Sequence, residues 1–328
     1  MRIIFAGTPA VAVPALEALH ASPLHDVVAV LTRADARSGR GRSLEASPVK
    51  KRAQELGIPV STAKPVGDEF LAWLRETGAE GAAVVAYGEI LRQETLDALD
   101  FGWINLHFSV LPSWRGAAPV QRAIIAGDEF TGASTFVIEA DLDSGPVIGV
   151  TTQRIGPRMT AGELLEVLGE SGSQLLVATF DAIADGKASP VRQSRDGVSY
   201  AAKLSVAQGE VPWTAPAQHI DRLIRGFTPD PGAWTSYEGV RLGIGPVEPT
   251  SPDEPALQGD DLAPGEMLVT KKAVFVGTGS APVRLSDVQP QGKKFMPAAD
   301  WARGARPSAG ATLGTASGPQ EQPELGEQ

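Results

Sequence analysis

The sequence predicts a doubly wound, mostly parallel α/β sheet followed by a small β-barrel. Short apolar strands alternate with amphipathic helical patterns through roughly the first 190 residues, as in a parallel sheet covered by helices on both faces. After Lys203-Leu204-Ser205 the pattern changes to one helix and then five short strand signals, which suits a closed or nearly closed barrel. The 328 residues also fit two domains of ~100–200 residues each.

Each element has a local reason. Residues 2–6 are an apolar run for a buried strand, and a helix over 9–20 starts with Thr8 as cap and Pro9 at its first position. A strand at 27–31 precedes a helix over 48–56, which Ser47-Pro48 caps and Gly57 stops. Strands at 58–60, 83–87 and 102–107 alternate with helices at 67–77 and 92–98. A helix at 117–126, strands at 133–139 and 146–153, and a long helix at 161–184 with the capping box Thr160-Ala-Gly-Glu163 complete the first domain. The second has a helix at 215–226 and strands at 233–237, 240–244, 266–270, 273–276 and 282–286. The expected boundaries are 1–203, 204–306 and a disordered tail at 307–328.

Composition excludes several chemistries. With no cysteine there is no disulfide, thiolate nucleophile, iron–sulfur cluster or Cys-based zinc site, and four histidines make a His-rich metal site a poor reading. We expect no metal. The formal charge is −10, which for the whole surface would argue against nucleic acid. The charge is uneven, however. Residues 247–266 and 307–328 hold nine acids and no base, and read as an acidic insertion loop and the tail; without them 29 bases face 30 acids. Residues 33–52 carry seven bases against Asp35 and Glu45. No apolar run reaches the ~18 residues of a membrane span. Gly7, Pro9, Pro14 and Glu17 break the first apolar stretch, so a strand and helix explain it better than a signal peptide, and the cytoplasm is the expected location.

Several motifs are absent. There is no G-x-x-x-x-G-K-[ST] loop, no G-x-G-x-x-G after the first strand and no G-x-S-x-G elbow. His20, His25 and His219 read as structural. The informative stretch is GWINLHFSVLPSWRGAAPVQ at 102–121, where strand alternation puts Asn105 and His107 on one face ~6.5–7 Å apart. These groups either bond loop backbone or serve a ligand. Asp143, in DLDSGP, is either a plain turn residue or a carboxylate within reach of the imidazole. An amide and an imidazolium suit a developing oxyanion, and a carboxylate would raise the histidine's pKa and relay a proton. With no nucleophilic side chain in the set, the nucleophile would come from a substrate, and an amine attacking an acyl donor fits well.

FAGTP, SGRGR…SPVK, VVAYGEIL, INLHFSVLPSWRGAAPVQ and DLDSGP together resemble the 10-formyltetrahydrofolate-dependent formyltransferase family, and within it the methionyl-tRNA formyltransferases, from about residue 2 to 306. The resemblance implies a Rossmann-like catalytic domain and an OB-like second domain that adds a tRNA surface. It places the catalytic trio on Asn105, His107 and Asp143. Folate contacts fall on Ser109, Val110, Leu111 and Pro112, with Val110 where the family has leucine, and on Tyr87, Gly88, Ile90, Leu91 and Ala140. It implies 10-formyltetrahydrofolate as formyl donor, initiator methionyl-tRNA as acceptor, and a monomer. Arg40, Arg42 and Lys203 are the implied tRNA contacts, with Lys50, Lys51 and Arg52 as further phosphate contacts. An amino-sugar formyltransferase or a 10-formyltetrahydrofolate hydrolase would share the trio, and a non-catalytic RNA-binding protein is the alternative from another class.

Overall fold

The computed structural model describes residues 1–38, 43–251, 254–257 and 261–314. Two compact units emerge: one holds residues 1–123, 128–157 and 163–203, the other 124–127, 158–162 and the chain from 204 onward. Among the described residues no helix is long and apolar enough to cross a membrane.

In chain order the elements up to residue 184 are β1 (Arg2–Gly7), α1 (Val13–Ala21), β2 (Asp26–Leu31), β3 (Ala36–Ser38), β4 (Ser43–Glu45), α2 (Pro48–Glu55), β5 (Val60–Ser61) and α3 (Gly67–Glu76). Then come β6 (Gly81–Val85), α4 (Gln93–Leu96), β7 (Trp103–His107), α5 (Pro119–Ala126), β8 (Phe130–Val137), β9 (Val147–Arg154) and α6 (Ala161–Ala184). Seven strands form one sheet in the order β5-β2-β1-β6-β7-β8-β9. The first five are mutually parallel, and β8 and β9 add on antiparallel. The chain builds outward from β1 to β5, then returns to lay β6 on β1's other side. In open α/β sheets such a reversal is where ligands bind, at the carboxyl ends of the strands, and β7 is the strand next to β6.

The sheet is buried on both faces, as its apolar strands require. Ile3, Ile4, Phe5 and Ala6 of β1 are fully buried. One face packs Ile4, Ala6, Ala82, Val84 and Trp103 against Phe70 and Leu74 of α3. Ser47 caps α2 as expected, its Oγ accepting the Lys50 N–H at 3.0 Å, and Gly57 ends the turn at φ +73°. Thr8 does not cap a helix. Its hydroxyl donates instead to the Tyr87 carbonyl at 2.9 Å, tying the end of β1 to the turn after β6; Pro9 stays extended before a short 3-10 turn at Ala10–Ala12, and α1 starts only at Val13.

The second unit contains α7 (Ala217–Phe227), β10 (Ala233–Tyr237), β11 (Val240–Ile244), β12 (Val247–Pro249), β13 (Met267–Val269), β14 (Val274–Val276), β15 (Val283–Leu285), β16 (Asp287–Pro290), β17 (Met296–Pro297) and α8 (Ala298–Ala305). Its strands form two four-stranded antiparallel sheets, β10-β11-β16-β17 and β12-β15-β14-β13, around one core with α7 and α8. Asp221 of α7 is nearly buried and accepts from two arginines, Arg158 at 3.0 Å and Arg225 at 2.8 Å. Two expectations need correction. Residues 247–266 are not simply an insertion loop: Val247 is fully buried and begins β12, which pairs with β15. Nor is 307–314 a loose tail. Leu313 is buried with its N–H on the Gly265 carbonyl at 2.8 Å, and the Gly314 N–H reaches the Ser236 carbonyl at 2.7 Å. Residues 315–328 lie outside the described residues.

Candidate active site

The site gathers where β7 ends. Asn105 and His107 share a face of that strand, with Asn105 half-buried and His107 nearly buried. The loop joining β8 to β9 starts beside the other end of β7, where the Ile138 N–H meets the Trp103 carbonyl at 2.8 Å. It then folds back, and its base is closed by the Val137 N–H on the Pro146 carbonyl at 3.0 Å. Asp143 is thereby brought to His107, with Oδ2 3.7 Å from Nδ1. The turn holds Asp143 at φ +46°, a left-handed conformation that costs a non-glycine residue free energy.

The loop after β7 holds both members of this pair. Nε2 of His107 lies 2.9 Å from the Trp114 carbonyl. A carbonyl only accepts, so Nε2 carries the proton, and in the neutral ring the bare Nδ1 faces the carboxylate. The Gly116 N–H donates to Asp143 Oδ2 at 2.7 Å. Trp114 adopts φ +61°; its own N–H goes to Ser199 Oγ at 2.8 Å and its indole N–H to Asp128 Oδ2 at 2.7 Å. An unpaired imidazole buried here would cost about 1–3 kcal/mol, which the Trp114 bond offsets.

Burial decides the charge of the histidine. It pushes the His107 imidazole below its ordinary 6.5, while the Asp143 charge and the Trp114 bond pull upward. Attraction at this separation is on the order of 4 kcal/mol at a near-surface dielectric, against several kcal/mol to bury an ion. The net shift is downward, so the ring rests neutral near pH 7. The carboxylate does pull this pKa upward, as the sequence suggested, but burial outweighs it.

Asn105 is the opposite case. Among the described residues its side-chain amide has no protein hydrogen-bond partner, although it lies beside a buried histidine. Two N–H donors thus remain available to a ligand.

The expected folate residues divide by which part of each is free. Ser109 is buried; its Oγ donates to the Ser113 carbonyl at 2.6 Å, and its carbonyl accepts from Ser134 Oγ at 2.7 Å. Leu111 is also buried, with its N–H on Ser134 Oγ at 3.1 Å, while Val110 and Pro112 are half-buried. Tyr87 belongs to the core with Ile4 and Trp103, and burial holds its phenol well above the ordinary value. It has no side chain to offer a ligand at the surface. Gly88 takes φ +82°, Leu91 packs on the same core, and Ile90 is 86% exposed. Ala140 is exposed on the β8–β9 loop.

Arg40 and Arg42 lie outside the described residues, between β3 and β4. Lys203 is exposed. Several other bases of 33–52 are already paired: Lys50 with Asp35 at 2.6 Å, Arg52 with Glu17 at 2.6 Å and Glu55 at 2.8 Å, and Arg33 with Glu89 at 3.2 Å. The local excess of positive charge is therefore smaller than the sequence count implies. His25 is structural, as expected, with Nε2 on Asp181 at 2.9 Å and its ring edge-on to Phe180.

An unpartnered amide and a buried His–carboxylate pair at the carboxyl edge of a doubly wound sheet, with a separate antiparallel β unit following them in sequence, suit an acyl-transfer class of protein. The family described as formyl transferase matches residues 1–180, and the formyl transferase C-terminal domain matches 203–306. The chain belongs to the formyl transferase family.

Within that family it is similar to the methionyl-tRNA formyltransferase of Thermobifida fusca, at 56% identity over 315 residues, covering 96% of this chain and 99% of that one. The methionyl-tRNA formyltransferase of Mycobacteroides abscessus is 55% identical, covering 93% and 97%. Among solved structures, HypX from Aquifex aeolicus in complex with tetrahydrofolic acid aligns with a TM-score of 0.62 at 15% identity, covering 92% of this chain and 47% of that one. An N-formyltransferase from Helicobacter canadensis, in complex with folinic acid and dTDP-3-aminofucose, gives 0.62 at 16%, covering 86% and 97%. At such identities the structural likeness speaks for the fold alone.

Proposed function

We propose that this chain transfers the formyl group of 10-formyltetrahydrofolate to the α-amine of methionyl-initiator tRNA, with Asn105, His107 and Asp143 as the catalytic residues. The carrying observation is the free Asn105 amide beside a buried histidine whose Nε2 is held on the Trp114 carbonyl and whose Nδ1 faces the Asp143 carboxylate at 3.7 Å. Relatives at 54–56% identity over nearly the whole chain, all named methionyl-tRNA formyltransferase, supply the acceptor.

The folate supplies an activated formyl group, whose carbonyl oxygen needs hydrogen-bond donors and whose departing nitrogen needs a proton. The donor set fits both needs. Asn105 donates from its amide to the oxygen as charge develops on it during amine attack. His107 accepts at Nδ1 the proton that the amine sheds, while its Nε2–H stays on Trp114 and fixes the ring. Asp143 then faces the new imidazolium and stabilises it until the proton passes to the departing nitrogen. In this reading histidine is the proton carrier, and the oxyanion rests first on Asn105.

The main-chain edges of Ser109, Val110, Leu111, Pro112, Tyr87 and Gly88, with Ile90, Leu91 and Ala140, contact the folate. Arg40, Arg42 and Lys203 contact the tRNA. The enzyme works as a cytoplasmic monomer, and light scattering checks the monomer. Single-turnover transfer from 10-formyltetrahydrofolate, with methionyl-tRNA, a nucleotide-linked amino sugar and water competing, tests the function. Formyl appearing on the tRNA is expected; formyl on the sugar alone, or release only as formate, overturns it.

A further inference from the structure

We propose that Gln193 is a positioning residue for Asp143. The proposal rests on the catalytic reading above and extends it to a residue outside the trio. Gln193 Nε2 donates to the Asp143 carbonyl at 2.8 Å and to the Gly145 carbonyl at 2.8 Å. Its Oε1 accepts from Arg115 Nε at 3.1 Å and Nη2 at 2.7 Å. Both donors and both acceptor sites of one amide are therefore used. Gln193 is half-buried between exposed Arg192 and Ser194.

The connections explain what it holds. Asp143 sits in left-handed backbone on a turn that folds back across the sheet, and such a conformation persists only where its surroundings fix it. Gln193 grips the main chain of that turn at two carbonyls two residues apart. Its other end is tied to Arg115, which lies between Trp114, whose carbonyl holds His107, and Gly116, whose N–H holds Asp143. The segment bearing Gln193 is itself anchored by a two-way main-chain pair between Val191 and Val147, both bonds 2.8 Å. One side chain thus connects the loop that orients the histidine to the turn that carries the carboxylate. The separation of Nδ1 from Oδ2 depends on both.

The test uses the full-length enzyme and steady-state formyl transfer to methionyl-tRNA. Gln193→Glu keeps an acceptor for Arg115 but loses both donors to the turn, and Gln193→Ala removes the whole link. In each, kcat is expected to fall by about 10- to 100-fold, the loss that a misplacement of roughly 1 Å brings. KM for either substrate should stay within about twofold, with both variants assayed well below their melting transitions so that unfolding does not enter kcat. The same substitutions are then made in an Asp143→Ala background, where they should cost almost nothing further, because the group they position is gone. An unchanged kcat in the Glu variant, or an equal loss with and without Asp143, overturns the positioning role. If Asp143→Ala alone keeps wild-type kcat, the catalytic reading fails, and the role of Gln193 fails with it.

Discussion

His107 stands between two unlike partners: its Nε2–H is fixed on the Trp114 carbonyl at 2.9 Å, and its Nδ1 faces Asp143 Oδ2 at 3.7 Å. Burial sets the balance and pushes the ring below 6.5 against the upward pull of the carboxylate. NMR titration of ring-labelled protein should therefore find His107 titrating below 6.5. With four histidines, and His25 also lowered by burial, deletion variants make the assignment simple. Asp143→Asn removes the upward pull, so the midpoint should drop further. The sign carries over to stability. The unfolded chain binds the proton first, so protein stability should rise with pH from the folded midpoint to about 6.5. A His107 midpoint above 6.5 would reverse the assignment of a neutral resting ring.

Asn105 offers the site's uncommitted donors. Asn105→Ala should lower kcat by ~10²–10³, the range for losing one oxyanion donor, with KM for the folate nearly kept. Asn105→Asp has similar volume but presents an acceptor to the same oxygen, and should be at least as slow. Steady-state kinetics on both variants decide the point, and turnover near wild type in the Ala variant would remove Asn105 from catalysis.

Gly116 gives Asp143 its N–H, and nothing larger fits. Its φ is +120°, and a Cβ there would lie 2.8 Å from the Ala201 carbonyl oxygen. Gly116→Ala must strain this backbone or move it, at a cost of about 1–3 kcal/mol. Moving it takes the donor from Asp143. A lower urea midpoint together with a fall in kcat is expected, and a variant indistinguishable from wild type in both would show that the loop adapts freely.

Parts of this arrangement are legible in the sequence because they depend on neighbours along the chain. Strand alternation puts Asn105 and His107 on one face, Ser47-Pro48 marks the start of α2, and the apolar runs mark the buried strands. Other parts depend on partners far away in sequence. The Thr8 hydroxyl finds the Tyr87 carbonyl instead of a helix end. Charge counting sees Asp143 beside His107 but not the burial that outweighs it. Gln193, in the polar run RQSRDG, looks like surface loop and shows its role only when Arg115 and the Asp143 turn converge on it. The short strands β12, β16 and β17 carry too few apolar residues to stand out, and Val247 hides in an acidic segment.

The charge at 33–52 offers a test of which bases meet tRNA. Lys50 is held by Asp35 at 2.6 Å, whereas exposed Lys51 has no ion pair among the described residues. An exposed pair contributes only about 0–1 kcal/mol, so stability says little. Salt dependence says more. A base that already neutralises a carboxylate adds little counterion release on meeting a phosphate, whereas a free base contributes about 0.7–0.9 to the slope of log affinity against log salt. Lys51→Ala and Arg40→Ala should each raise KM for tRNA and flatten that slope, and Lys50→Ala should do so less. If Lys50→Ala flattens it equally, the Asp35 pair opens when tRNA binds, and the sequence count of positive charge is the better guide to this face.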